Sequence, residues 1–122
     1  MIKLTYENVT EQLVKRVPEL IPLYKDEMDY YGEIASYVFF GPILCDFIAE
    51  QLGENGVPNS SNEAILIPAF VLIEECVKSG DKELRELVLA GFLESFIPKM
   101  NEYPALKGFL GVKTEQLLSL FE

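Results

Sequence analysis

Apolar side chains recur three and four positions apart along almost the whole chain, and nowhere do four or more positions alternate cleanly between apolar and polar. That period puts one stripe of each segment inward as a helix does, and it argues against a half-buried strand wherever it holds. The chain is therefore expected to be all-α. Seven prolines and eight glycines cut the pattern into pieces joined by short turns, so that neighbours fold back on one another. At 122 residues there is material for one compact domain, residues 1–122, and little for a second. The expected architecture is a compact single-domain bundle of about seven helices in orthogonal or HEAT-like stacking.

The segments follow from the punctuation. A first helix is expected from Tyr6 to Arg16, with Thr5 as N-cap and Val9, Leu13 and Val17 inward. Pro18 ends it and opens a second helix to Tyr31, with Leu20, Leu23, Tyr24 and Met28 inward and Gly32 as its stop. Ile34 to Leu52 is a helix interrupted at Gly41-Pro42, because a residue before proline avoids the helical region. Gly53 to Ser61 is a loop, after which Asn62 is expected to cap a helix to Ser79 that Pro68 bends or delays. Gly80-Asp81 reads as a turn and N-cap for Lys82 to Ile97, with Leu84, Leu87, Val88, Leu93 and Phe96 inward and Pro98 as the stop. Pro104 to Leu110 and Thr114 to Phe121 close the chain.

Several classes of chemistry are disfavoured at once. The chain has no His, which removes the usual general base, the commonest metal ligand and the partner of most Ser and Cys nucleophiles. Cys45 and Cys76 sit in apolar helical contexts without a basic neighbour to lower a thiol pKa, as expected of free thiols in a cytoplasmic protein. Gly111-Val112-Lys113-Thr114 lacks the leading glycine and the preceding strand of a phosphate loop. Asp26, Glu27 and Asp29 have neither the spacing of a calcium loop nor the Glu-x-x-His of a di-iron bundle. No catalytic residue, metal or cofactor is assigned, and an enzyme is the minority expectation. The N-terminus carries no signal-peptide pattern, and the densest apolar stretch, Ala64 to Ile73, is too short to span a membrane.

The charges are distributed unevenly. Twenty acidic and ten basic residues give a net charge of -10, which repels nucleic acid. Between Lys25 and Lys78 there is no basic residue, while the same interval holds ten acids: Asp26, Glu27, Asp29, Glu33, Asp46, Glu50, Glu54, Glu63, Glu74 and Glu75. The rest of the chain is balanced, so the whole net charge comes from one contiguous segment. Its densest part is Asp26-Glu27-Met28-Asp29-Tyr30-Tyr31-Gly32-Glu33, followed by Tyr37, Phe39 and Phe40. Acids at a helix C-terminus oppose the macrodipole at about a few tenths of a kcal/mol each, so helix stability does not account for them. Tyrosines beside acids suit a protein-binding surface: Tyr buries much area at little entropy cost, and the acids select a basic partner. The expected contact residues are Asp26, Glu27, Asp29, Tyr30, Tyr31, Glu33 and Tyr37, extended by Asp46 and Glu50 one turn apart. The plain alternative is a solvated acidic face with the tyrosines half-buried in the core.

Pro18-Glu19-Leu20-Ile21-Pro22-Leu23-Tyr24, then Gly32-Glu33 and Tyr37-Val38-Phe39-Phe40-Gly41, resemble the opening motif of a family of small uncharacterised bacterial helical proteins. Ser79-Gly80-Asp81 with Leu87 to Phe96 resembles that family's second half. Such proteins are regarded as immunity proteins of toxin-antitoxin or contact-dependent growth inhibition systems. The pattern often carries His after the Tyr24 region and before Val38, and this chain has none, which argues against a shared metal or catalytic role. The resemblance implies a cytoplasmic immunity protein, a monomer or weak dimer, that occludes the basic surface of a toxin domain with nuclease activity. A HEAT-like adaptor for a basic protein, with no toxin involved, is the alternative expectation.

Overall fold

The computed structural model describes residues 2–121. Six α-helices follow one another: α1 (Val9–Arg16), α2 (Ile21–Tyr31), α3 (residues 36–50), α4 (Ser60–Lys78), α5 (residues 82–102) and α6 (Val112–Leu118). Short 3-10 segments cover Pro18–Leu20, Pro104–Phe109 and Ser119–Phe121, and Pro104–Phe109 is long enough to serve as a seventh rod of the bundle. No strand occurs among the described residues. The protein is an all-α single domain around one core.

The local signals act largely as the sequence implies. Thr5 and Asn8 form a reciprocal cap, the Asn8 N–H donating to Thr5 Oγ1 (3.2 Å) and the Thr5 N–H donating to Asn8 Oδ1 (2.9 Å). Regular helix begins at Val9 rather than Tyr6, because residues 6–8 form the turn that this cap closes. Gly32 takes the left-handed conformation (φ 76°) and its N–H donates to the Met28 carbonyl at 2.8 Å, ending α2 as expected. Gly80 takes the same left-handed conformation (φ 76°) in the turn before α5, and Asp81 Oδ1 accepts from the Leu84 N–H at 3.1 Å.

Three expectations are corrected. Asn59, not Asn62, caps α4: its Oδ1 accepts from the Asn62 N–H at 2.8 Å, and the Asn62 side chain instead donates to the Gln51 carbonyl at 3.0 Å. Pro98 does not stop α5, which runs on to Glu102, and Pro68 likewise lies inside α4. A proline in a helix strips a partner from the carbonyl four residues back; Ala64 and Glu94, which carry those two carbonyls, are exposed. Met28 faces solvent rather than the core.

Both long central helices are composite. In α3, Ser36–Val38 passes through a π-helical segment, Phe39–Ile43, into Leu44–Glu50, with the break at Gly41 (ψ -108°) just before Pro42. In α5, Lys82–Glu86 passes through a π segment, Leu87–Leu93, into Glu94–Glu102. The two π segments pack on each other. A Cβ at Gly41 would stand 2.9 Å from the Gly91 carbonyl oxygen, so the backbones approach more closely than any side chain permits. Nearby, the Cys45 thiol donates to the Phe92 carbonyl at 3.7 Å.

The core is one cluster. Val9, Leu13 and Val17 meet Leu66, Leu72 and Ile73 from α4 and Leu84, Leu87, Val88 and Leu93 from α5. Phe39 and Phe40 are wholly buried and belong to this interior. Phe92 and Phe96 stack at 4.9 Å, with Phe70 edge-on to both and stacked on Phe109. Full burial of each such ring stabilises the fold by about 1.5–3 kcal/mol. No helix among the described residues is long and apolar enough to cross a membrane.

Candidate functional site

α2 stands apart from this interior. It contains no fully buried residue, and its principal neighbour is the 3-10 turn Pro18–Leu20. Leu23 and Tyr24 hold it down, the Tyr24 ring meeting Phe39 edge-on at 5.9 Å. The C-terminal half is free to face outward, and it does. Tyr30 is 81% and Tyr31 65% exposed, with the two rings T-shaped at 4.7 Å. These two tyrosines are therefore not half-buried core residues. Asp26 precedes Tyr30, and Glu27 precedes Tyr31, by one helical turn, which sets a carboxylate beside each phenol. Asp26, Asp29 and Glu33 are exposed and Glu27 is half-exposed. No lysine or arginine of the described residues comes within ion-pair distance of any of the four. The last turn of α2 carries no basic residue, so the negative helix end and the carboxylates reinforce each other.

The remaining expected contact residues divide. Tyr37 is partly exposed, but its neighbour is Tyr6 (ring centroids 6.2 Å apart) in a hollow it shares with the start of α5. Asp46 is exposed yet paired, accepting from Lys99 of α5 at 3.2 Å. That hydrogen bond, opposed by partial burial, holds the Lys99 ammonium above its ordinary value. Glu50 is exposed at the end of α3.

The acidic segment is thus less uncompensated than its sequence implies. Besides Asp46, Glu75 pairs with Arg16 through both guanidinium nitrogens and so ties α4 to α1. Glu74 caps α6: its carboxylate accepts from the Lys113 and Thr114 N–H groups, each at 2.9 Å, and from the Thr114 hydroxyl at 2.8 Å. Burial raises the Glu74 carboxyl, and these three hydrogen bonds outweigh it, leaving it below the usual carboxylate range. Three of the ten acids therefore serve the fold. The α2 group does not.

One surface feature was missed. Ile67 and Val71 of α4 are exposed and, with Phe70, Phe109 and Gly111, line an apolar hollow of about 330 Å³ that ends at Glu74, Glu75 and Lys78. The signal was present in Ala64 to Ile73, a stretch apolar on all sides of the helix, which a single core face cannot cover completely.

Burial pushes both thiols up to about 12, so Cys45 and Cys76 are un-ionised near neutral pH. Among the described residues no three of the Cys, Asp and Glu side chains converge as a metal site.

A family described as a domain of unknown function (DUF7674) matches residues 10–120. The chain belongs to that family. No curated protein and no solved structure matches it. The match runs from within α1 to the end of the fold, so the exposed end of α2 in this DUF7674 chain is part of the domain.

Proposed function

We propose that this DUF7674 protein is an immunity protein: a stoichiometric inhibitor that binds a toxin domain, most simply a nuclease, and occludes its basic active-site surface. The observation that carries the reading is the end of α2, where two solvent-facing tyrosines in mutual contact stand among four carboxylates that have no cationic partner among the described residues. A nuclease holds phosphate in a positive cleft, and an acidic rim with aromatic anchors complements it. Steering by the net charge of -10 lets such a pair associate at up to about 10⁸–10⁹ M⁻¹s⁻¹. Asp26, Glu27, Asp29 and Glu33 guide the encounter, and Tyr30 and Tyr31 anchor the complex. Tyr37 sides with Tyr6 and Asp46 with Lys99, which leaves Glu50, exposed at the end of α3, as the extension of that patch.

The test is the triple charge reversal D26K/E27K/D29K, assayed against the product of the adjacent upstream gene for binding and for protection of cells. The helical circular dichroism should be unchanged, association should slow, and most of its salt dependence should vanish. Unchanged binding and protection would remove the patch from the interface. Binding to a non-toxic basic protein with the same sensitivity would favour an adaptor instead.

A further inference from the structure

A second recognition point lies away from α2. The turn before α1, the first turn of α3 and the first turn of α5 meet around a hollow of about 340 Å³ lined by Tyr6, Tyr37, Lys82, Glu83 and Glu86. The two phenol rings stand 6.2 Å apart with their planes 47° from parallel. Glu83 and Glu86 are three positions apart on one helix, so their carboxylates leave α5 on the same side. Neither has an ion-pair partner among the described residues, and Lys82 reaches neither.

The backbone around the hollow is tied to its neighbours. The Thr10 hydroxyl donates to Ser36 Oγ at 3.0 Å and fastens α1 to α3 beside the hollow. Tyr37 lies against Gly91, where a Cβ would come within 3.3 Å of its ring. Gly91 belongs to the π segment that begins one residue after Glu86. Such segments are rare and gather at functional sites, where they re-aim the side chains around them. Burial first, then Tyr6, Glu86 and Glu83, push the Tyr37 phenol above its ordinary value.

We propose that this hollow takes an arginine side chain of the basic partner, its guanidinium against the faces of Tyr6 and Tyr37 and paired with Glu83 and Glu86. A planar, weakly hydrated cation stacks on an aromatic face and forks onto carboxylates in a way a compact ammonium does not. The source of the arginine rests on the immunity reading above, but its chemistry does not, and can be measured without the partner.

The probe is N-acetyl-L-arginine amide, titrated into the full chain while the ring protons of all six tyrosines are followed by NMR. Saturable shifts are expected at Tyr6 and Tyr37, larger than any at Tyr30 or Tyr31. The exposed double substitution E83Q/E86Q should weaken binding about five- to tenfold, and N-acetyl-L-lysine amide should bind more weakly than the arginine probe. Non-saturating shifts, equal shifts at Tyr30 and Tyr31, an E83Q/E86Q chain that titrates like the parent, or lysine binding as well as arginine would each overturn the assignment. Failure of the α2 charge reversal to affect partner binding, with the arginine titration intact, would sink the immunity patch and leave this hollow standing. The opposite pair of results would do the reverse.

Discussion

At Tyr30 and Tyr31 the cost of function can be separated from the cost of folding. Both rings touch each other and solvent, and neither belongs to the core. Tyr30→Ala and Tyr31→Ala should therefore change unfolding free energy in urea by no more than about 0.5 kcal/mol. Each should cost about 1–2 kcal/mol of partner binding by calorimetry, as aromatic anchors do. Glu74 is the opposite case, a carboxylate of the same acidic segment that holds structure. Its folded carboxyl titrates below the ordinary range, so the unfolded chain binds the proton more readily and stability rises with pH through that range. This contribution is complete above the unfolded value and disappears as pH falls through the folded one. Glu74→Gln should destabilise the protein at pH 7 by about 1 kcal/mol, the worth of a helix cap. It should also flatten the acid side of a plot of melting temperature against pH.

At the scale of elements, the two π segments fix where the long helices cross. A methyl group at Gly41 would press on the Gly91 carbonyl and on Ser95 Oγ, 2.9 and 3.1 Å away. Gly41→Ala should cost about 1–3 kcal/mol, with the denaturation slope unchanged, because the insertion forces apart backbones already in contact. The sequence marked a break at Gly41-Pro42 but carried no sign of its π character or of the partner bulge in α5, since neither follows from a propensity. Pro68 and Pro98 show the same gap from the other side. Proline's local cost is legible, but whether the helix continues depends on whether the carbonyl it strips can reach water, and that is a matter of burial.

At the scale of the whole molecule, the net charge of -10 is concentrated but not uniform. Lys99 and Arg16 reach across from other helices to Asp46 and Glu75, while the α2 carboxylates have no ion-pair partner among the described residues. Raising salt should therefore slow partner association strongly in the parent chain and weakly in D26K/E27K/D29K, as stopped-flow mixing at low and at physiological ionic strength would read. Lys99→Ala should leave that slope nearly unaltered, because Asp46 lies outside the α2 group.

The helical period, the cap at Asp81, the stop at Gly32 and the inward stripes of α1 and α5 were all settled by the order of residues, because each depends on neighbours within about one turn. The acidity of the central segment was equally plain. Which of those acids face water and which cap or pair was decided by the packed structure alone, since Glu74 meets its partners some 40 residues away and Glu75 meets Arg16 across 59. The same holds for the tyrosines. Their spacing placed them beside acids, but only the way α2 leans on Tyr24 and Leu23 turned Tyr30 and Tyr31 outward, and only the meeting of three helix starts brought Tyr37 to Tyr6. Local free energies are written along a chain, whereas exposure is a property of what the rest of the chain covers.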